Sequence, residues 1–278
     1  MKIGIRLHDT APGTLEERLS FAKAQGFCCA HVVLSKVDPG FSMQEAPRLL
    51  TRELAEQVKG AFGRQEMDCA VLGCYLNLAN PDAEERARTQ EIYRAHLRFA
   101  PWIGAGVVGT ETHAHPSSSF EKPAPQSEEA FRLFMDSLKT VARFAEEENA
   151  VLAVEPVWSH IISTTERAER MLEEVRSDHV QIILDAVNLI GPADVERRDE
   201  VIADAIRRLG DRVRVLHLKD LIPEEGKVRS TACGQGVMRY DQLLAFGKAR
   251  DLPMTLEDTR PENAEAARLY LEQIAAGL

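Results

Sequence analysis

Long hydrophobic runs are missing from this 278-residue sequence, in which apolar residues occur only in short stretches. A membrane-spanning helix needs ~20 consecutive apolar residues, and no stretch approaches that length. The first residues, MKIGIRLH, also lack the apolar segment of a secretory signal peptide. We therefore expect a soluble cytoplasmic protein that has no membrane partner.

Cysteine is scarce, and its positions do not form a framework. The five cysteines are Cys28, Cys29, Cys69, Cys74 and Cys233. An odd number without regular spacing predicts reduced thiols, as in the cytoplasm, rather than a disulfide scaffold.

Basic residues are outnumbered by acidic ones. The sequence has 34 Lys and Arg against 44 Asp and Glu, which gives a formal net charge of −10. Nucleic-acid binding depends on clustered Lys and Arg that neutralise phosphates, so this balance argues against a DNA or RNA partner. It leaves a small phosphorylated substrate open, because one local Lys or Arg could neutralise its charge.

What the sequence does contain is a regular alternation of short apolar runs with longer amphipathic segments. The predicted strands are Lys2–Leu7, Cys28–Leu34, Cys69–Leu76, Val107–Thr110, Val151–Val154, Val180–Leu184, Val213–Leu216 and Met254–Leu256. Eight strand–helix units average about 35 residues each, which favours a single-domain (β/α)8 TIM barrel over residues 1–278. A doubly wound open sheet is the alternative, but the first turn, Arg6–Gly13, lacks the glycine-rich pattern of that fold.

Helix starts and loop lengths agree with a barrel. Thr14-Leu-Glu-Glu17 reads as a capping box, Phe131–Ala145 has apolar residues at helical spacing, and Pro261 suits the first turn of the last helix. The long strand-to-helix connections are Ser35–Ala46, His113–Gln126 and Leu221–Val237. In a barrel these connections collect at the C-terminal ends of the strands, where active sites lie.

Four of the apolar runs end in a side chain that can bind a metal ion. The residues are Glu155, Asp185, His217 and Glu257, separated by 30, 32 and 40 residues, one strand–helix unit each time. Three carboxylates and one imidazole suit a single divalent ion, either Mn²⁺, Mg²⁺, Co²⁺ or Zn²⁺. The alternative for any one of them is a polar residue that faces solvent at a strand end, but consecutive barrel strands bring all four to one mouth.

This ordered set resembles that of the xylose isomerase-like, or endonuclease IV-like, TIM barrel family, which includes sugar and sugar-phosphate isomerases and epimerases. The matching segments are Val154-Glu155-Pro156, Leu184-Asp185, His217-Leu-Lys-Asp220, Gly234-Gln-Gly236 and Leu256-Glu257. The resemblance implies that the four residues hold one metal ion. By analogy with the ketose 3-epimerases, it also implies that Glu155 and Glu257 form the catalytic acid/base pair.

The DNA-repair branch of that family is disfavoured. Its members bind three zinc ions through extra histidines and aspartates. This chain has Asn188 where one such histidine would stand, and Val228-Arg229-Ser230 before the Gly-x-Gly turn. The ketose 3-epimerase resemblance is also incomplete, because those enzymes have a substrate-contacting histidine at the position of Asn188.

Further residues near the predicted mouth are candidates for substrate binding. They are Glu111, His113, His160, Asn188, Lys219 and Arg229. Lys219 has the strand parity of His217, so it should point inward, where it could balance the carboxylates or bind an oxyanion. No function is assigned to His8, His31, His96 or His179 at this point.

The reaction expected from these residues is epimerisation of a sugar or sugar phosphate through a metal-stabilised enediolate. One carboxylate would remove a proton next to the carbonyl, and the other would return one to the opposite face. A dehydratase or a keto-glycoside lyase could use the same enediolate, and a non-catalytic sugar-binding barrel is a third alternative. The expected partner is a small-molecule sugar, and a homo-oligomer is possible.

Overall fold

The structure, a computed structural model, describes residues 1–112 and 124–278. Its strands are β1 (Lys2–Arg6), β2 (Cys29–Val32), β3 (Asp68–Gly73), β4 (Val107–Glu111), β5 (Leu152–Glu155), β6 (Val180–Asp185), β7 (Val213–Leu218), β8 (Asp220–Glu224), β9 (Lys227–Thr231) and β10 (Pro253–Leu256). The helices are α1 (Leu15–Ala24), α2 (Leu34–Val37), α3 (Ala46–Leu49), α4 (Arg52–Arg64), α5 (Ala83–Ile103), α6 (Glu128–Glu147), α7 (Thr165–Val175), α8 (Ala186–Leu189), α9 (Arg198–Leu209), α10 (Asp241–Ala249) and α11 (Ala264–Ala276).

Eight of the strands close into a parallel barrel in the order β1-β10-β7-β6-β5-β4-β3-β2. Every neighbouring pair is parallel, including β1 with β10, which closes the ring. The helices between the strands surround the barrel, so the prediction of a TIM barrel is confirmed. All eight predicted strands are present, with ends that differ by a few residues.

The helices form where their sequences favour them. The Thr14 hydroxyl oxygen accepts a hydrogen bond from Glu17 N, and the Glu17 carboxylate accepts one from Thr14 N, which is the predicted capping box. The apolar stripe of α6 is buried against the barrel: Phe131, Phe134 and Leu138 have no exposed surface. This burial, rather than helix propensity alone, stabilises the outer layer.

Two details differ from the sequence-based expectation. Pro261 lies in a turn before the last helix rather than in its first turn, because α11 begins at Ala264 after an Asn263 N-cap. The segment predicted as a long loop after the seventh strand contains an antiparallel hairpin, β8–β9, with Gly226 at its tip. Gly226 has φ +66°, a left-handed conformation that glycine adopts without strain.

The hairpin is fixed to the barrel by one buried carboxylate, that of Asp220. Its Oδ1 accepts hydrogen bonds from the backbone N–H of Leu221 (2.9 Å) and Met238 (2.8 Å), and its Oδ2 accepts one from Gly234 (3.0 Å). A side chain at Gly236 could not fit there, since its Cβ would lie 2.1 Å from Leu221 O. The base of the hairpin is therefore rigid, whereas residues 223–227 are exposed.

A small apolar layer fills the barrel interior towards the start of the strands. It consists of Cys29, Ala70, Val71, Val107, Ala153, Ile183 and Val215, and we refer to it as the apolar layer. All five cysteines of the chain are free thiols, as predicted. In the described part of the chain, no helix combines the length and the hydropathy that a bilayer crossing requires.

Candidate metal centre

The candidate site lies next to the apolar layer, one inward-facing residue further towards the C-terminal ends of the strands. Because strand side chains alternate in direction, the inward-facing residue that follows Ile183 is Asp185, and the one that follows Val215 is His217. Asp185 and His217 are also direct neighbours in the β6–β7 register. Glu155 ends β5, and Glu257 follows the last residue of β10. All four side chains are buried.

His217 stands between the two glutamates. Its Nδ1 is 3.1 Å from Glu155 Oε2 and 3.3 Å from Glu257 Oε1. Neither ring nitrogen has a hydrogen-bond partner among the described residues, although both are buried. Burial lowers the pKa of His217, so the neutral ring presents a lone pair. A buried polar atom that lacks a hydrogen-bond partner costs free energy, and a bound metal ion would give the lone pair of His217 a partner.

Asp185 uses its two carboxylate oxygens differently. Oδ1 accepts hydrogen bonds from the backbone N–H of Val187 (2.9 Å) and Asn188 (3.2 Å), which fixes the side chain. Oδ2 lies 3.0 Å from Lys219 Nζ and remains on the interior side. Burial raises the pKa of Asp185 to about 6.

Glu257 is surrounded by positive groups. Its Oε2 is 3.2 Å from Arg6 Nη1 and 3.4 Å from Lys219 Nζ. Burial disfavours the charged form of Glu257, yet the neighbouring positive groups, Lys219 and Arg6 among them, outweigh burial and hold its pKa well below the usual range. Glu257 is therefore the carboxylate that stays ionised.

Glu155 has the opposite environment. Burial and the nearby charge of Glu257 raise the pKa of Glu155 to about 8. Its Oε1 accepts a hydrogen bond of 2.5 Å from Asn188 Nδ2, while Oε2 faces His217. The two glutamates thus differ in protonation near neutral pH because of their neighbours, not because of their residue type.

Two members of the site, Arg6 and His31, were not identified from the sequence. Arg6 ends β1 and links Glu257 to Asp9 and Asp258. His31 lies in β2 with 1% of its surface exposed, and its ring stacks on that of His217 with 5.2 Å between centroids. The available signal was a histidine inside the apolar run Cys28–Leu34, whereas His217 was identified because it follows the end of such a run.

The predicted substrate-binding residues lie at different distances from the centre. Lys219 and Asn188 contact the ligand set directly. Glu111 is the register neighbour of Glu155, and its Oε2 is 3.6 Å from Nδ1 of the buried His160. Arg229 lies on the hairpin, half exposed and paired with Glu224, beside a cavity of about 510 Å³ that Arg6 also lines. His113 lies outside the described residues.

The donor set fits a divalent metal ion. Ligand atoms of Glu155, Asp185 and His217 all lie within 4.8 Å of one another, and so do those of His31, His217 and Glu257. A bound cation would accept the lone pair of His217, whose ring nitrogens have no hydrogen-bond partner among the described residues, and would relieve the close approach of the buried carboxylates. Each of the four ligands predicted from the sequence belongs to one or both of these two groups, which share His217.

Comparisons with known proteins show the family to which the chain belongs. Residues 19–274 match the family model described as xylose isomerase-like TIM barrel. A segment of 167 residues is 33% identical to the D-psicose 3-epimerase of Enterocloster bolteae, covering 58% of this chain and 53% of that protein. The match thus spans about half the length of this curated relative.

Two solved structures share the fold over nearly the whole chain. The apo 3-keto-D-glucoside 4-epimerase from E. coli has a TM-score of 0.76 at 20% identity, with 98% of this chain and 99% of that chain covered. The IolI protein with a bound zinc atom has a TM-score of 0.72 at 16% identity, with coverages of 100% and 97%. At these identities the likeness shows the fold alone.

Proposed function

Because the chain belongs to the xylose isomerase-like TIM barrel family, we propose that it is a divalent-metal-dependent sugar or sugar-phosphate epimerase of the ketose 3-epimerase type. The reaction is proton exchange at the carbon next to a ketone, through an enediolate. The similarity to D-psicose 3-epimerase supports this substrate class.

One observation carries the proposal: each of the two glutamates directs one carboxylate oxygen towards His217 and the other towards a different partner. Glu155 Oε2 and Glu257 Oε1 both face His217 Nδ1. The other oxygens, Glu155 Oε1 and Glu257 Oε2, have separate partners outside that contact. Each glutamate can therefore bind a cation through one oxygen and exchange a proton through the other.

Glu155, Asp185, His217 and Glu257 would hold the ion, either Mn²⁺, Mg²⁺, Co²⁺ or Zn²⁺. When bound, a divalent ion supplies positive charge that stabilises a developing negative charge on the substrate oxygens. Lys219 supplies a second, permanent positive charge, because Asp185 and Glu257 raise its pKa although burial disfavours the charged form. The ammonium group could bind a substrate oxygen, or a phosphate group where one is present.

Glu257 and Glu155 take the roles of base and acid. Glu257, held ionised by Arg6 and Lys219, removes the proton next to the ketone. Glu155 returns a proton to the other face of that carbon, so that the carbon is inverted. The two side chains come from β5 and β10, which are separated in the barrel by β6 and β7. In the reverse reaction the roles exchange.

The remaining predicted residues surround this pair. Asn188 orients Glu155, and Glu111 and His160 lie on the β4–β5 side, where they can bind substrate hydroxyls. His113 would follow Glu111 at the same edge, and Arg229 would approach from the hairpin. These roles belong to the proposal.

A second candidate function is a dehydratase or keto-glycoside lyase that uses the same enediolate. The pKa of Glu111 favours it: burial and the charges of Glu155 and Glu257 raise that pKa to about 8. A carboxyl group that remains protonated near neutral pH can donate its proton to a leaving oxygen. The two candidates differ in their products, because only elimination releases water or an aglycone.

The test is turnover in D₂O, followed by NMR, with added Mn²⁺ or Co²⁺ and a panel of ketoses, their phosphates and keto-glycosides. We expect an epimerised product that carries deuterium at the carbon next to the carbonyl, even early in the reaction. The Glu155→Gln variant should produce no epimer. Epimerisation without deuterium would contradict the two-carboxylate exchange, and loss of water or an aglycone would select the second candidate.

A further inference from the structure

His31 is an ionisable residue of the centre to which neither the sequence pattern nor the proposed reaction assigns a role. It lies in β2, and the β2–β3 register shifts between Ala30 and His31. A register irregularity of this kind re-aims the side chain that follows it, and such irregularities occur next to active sites. Here the ring lies beside two residues of the site, His217 and Glu257.

The ring of His31 contacts Tyr75 through the nitrogen that does not face Glu257. Its Nε2 is 3.1 Å from the hydroxyl oxygen of Tyr75. A side chain at Gly73 would remove this arrangement, since its Cβ would lie 2.9 Å from His31 Nε2 and 2.7 Å from Tyr75 Cε2. When Nε2–H donates to Tyr75, the lone pair is on Nδ1. A hydrogen bond from the distal ring nitrogen is how proteins commonly orient a metal-binding histidine.

The Nδ1 atom of His31 faces a hydrogen-bond acceptor, a carboxylate oxygen of Glu257. Glu257 Oε1 is 3.6 Å away, which is longer than an N–H···O hydrogen bond, and the same oxygen lies 3.3 Å from His217 Nδ1. His31 Nδ1 has no hydrogen-bond partner among the residues that the structure describes. Two adjacent ligands of one five-coordinate ion, each ~2.1 Å from it, lie about 3.0–3.6 Å apart, so both separations are those of ligands that share an ion.

We propose that His31 is a fifth protein ligand of the metal centre, bound through Nδ1 to the same ion as His217 and Glu257. The centre then offers two imidazoles beside its carboxylates. Because imidazole suits Zn²⁺ and other transition metals, whereas Mg²⁺ prefers oxygen ligands, the second imidazole shifts the preference away from Mg²⁺. This inference rests on the proposed metal centre but not on the reaction assigned to it.

A direct test needs no variant. The full-length chain is stripped with a chelator, loaded with one equivalent of Zn²⁺, and studied by X-ray absorption at the zinc edge. We expect the scattering of two imidazoles. A single imidazole would overturn the inference and leave the proposed centre intact, whereas a chain that takes up no divalent ion would overturn both.

A second test compares variants. His31→Leu should weaken Zn²⁺ binding by about tenfold or more, without a comparable loss for Mg²⁺, and should shift the visible absorption bands of the Co²⁺-loaded chain. His96→Leu is the matched control, because it removes another fully buried imidazole, located on α5. If His31 only positions Glu257, the affinities for Zn²⁺ and Mg²⁺ will fall by the same factor while the Co²⁺ bands stay in place, and the inference is then wrong.

Discussion

The two layers inside the barrel are built from the same strands but have opposite character. In the apolar layer, small and branched residues pack against one another. On β2, β5, β6 and β7 the next inward-facing residue carries charge or a ring nitrogen, and together with Glu257 these residues form what we call the ionisable layer: His31, Glu155, Asp185, His217 and Glu257. Two residues along a strand cover only about 6.6 Å.

This difference indicates that the residues that stabilise the barrel and the residues proposed to carry out the chemistry lie one inward-facing position apart along a strand. The strand backbones run through both layers, so the apolar layer holds the ionisable layer in place. The ionisable layer contains closely spaced carboxylates and unpartnered nitrogens, which cost stability without a cation. Substitutions in the two layers should therefore affect different measurements.

The largest expected effect is on turnover, through Glu257→Gln. Removing the carboxylate that acts as base should lower kcat by about 10²–10⁴-fold while the chain stays folded. Steady-state kinetics and circular dichroism measure both properties. Val215→Ala, in the apolar layer two residues before His217, is the control and should keep its turnover. Equal losses in the two variants would mean that the separation between layers is not real.

The second effect is on stability, through Ile183→Ala in the apolar layer. Ile183 has no exposed surface, and its truncation should cost about 2–5 kcal/mol of unfolding free energy, measured by urea denaturation. Its Zn²⁺ stoichiometry should be unchanged. Asp185→Asn, the next inward-facing residue on β6, should show the reverse pattern, with metal uptake lost. Loss of metal binding in Ile183→Ala would show that the layers are coupled.

A smaller effect is expected from the metal itself. A divalent ion at one hundred times its Kd should raise the unfolding free energy of the wild-type chain by about 2.7 kcal/mol, and a chelator should reverse the gain. The same increment is expected in Ile183→Ala but not in Asp185→Asn. An increment that survives in Asp185→Asn would place the ion outside the ionisable layer.

The smallest effect is expected outside both layers, at Arg229. This residue is half exposed and its ion pair with Glu224 is on the surface, so Arg229→Ala should change the unfolding free energy by less than about 1 kcal/mol. As a substrate contact made from the hairpin, its loss should raise KM and leave kcat unchanged. An unchanged KM would remove Arg229 from the proposed site.

The sequence was sufficient for the barrel and for the four proposed ligands because both depend on local patterns. Strand periodicity is visible over a few residues, and a polar residue at the end of an apolar run is visible directly, as for Asp185. The closed order of the strands then brings such residues together, which requires no further information once eight units are counted.

Other features depend on contacts between distant parts of the chain. Arg6 gains its role only from Glu257 at the opposite end of the sequence, across the β1–β10 pairing that closes the barrel. His31 resembles a core histidine until the ring of His217 is placed beside it. The β8–β9 hairpin was missed because its residues are largely exposed on both faces, so hydrophobic alternation does not reveal it.

The way Asp220 fixes the hairpin has a practical consequence for protein engineering. Three hydrogen bonds from backbone N–H groups to the Asp220 carboxylate hold the hairpin base next to Lys219, whereas residues 223–227 around Gly226 are exposed. Exposed tips of this kind accept inserted sequence, and the rigid base would isolate the barrel from it. A short peptide or a fluorescent label could therefore be grafted at Gly226, above the mouth of the barrel, without displacing Lys219.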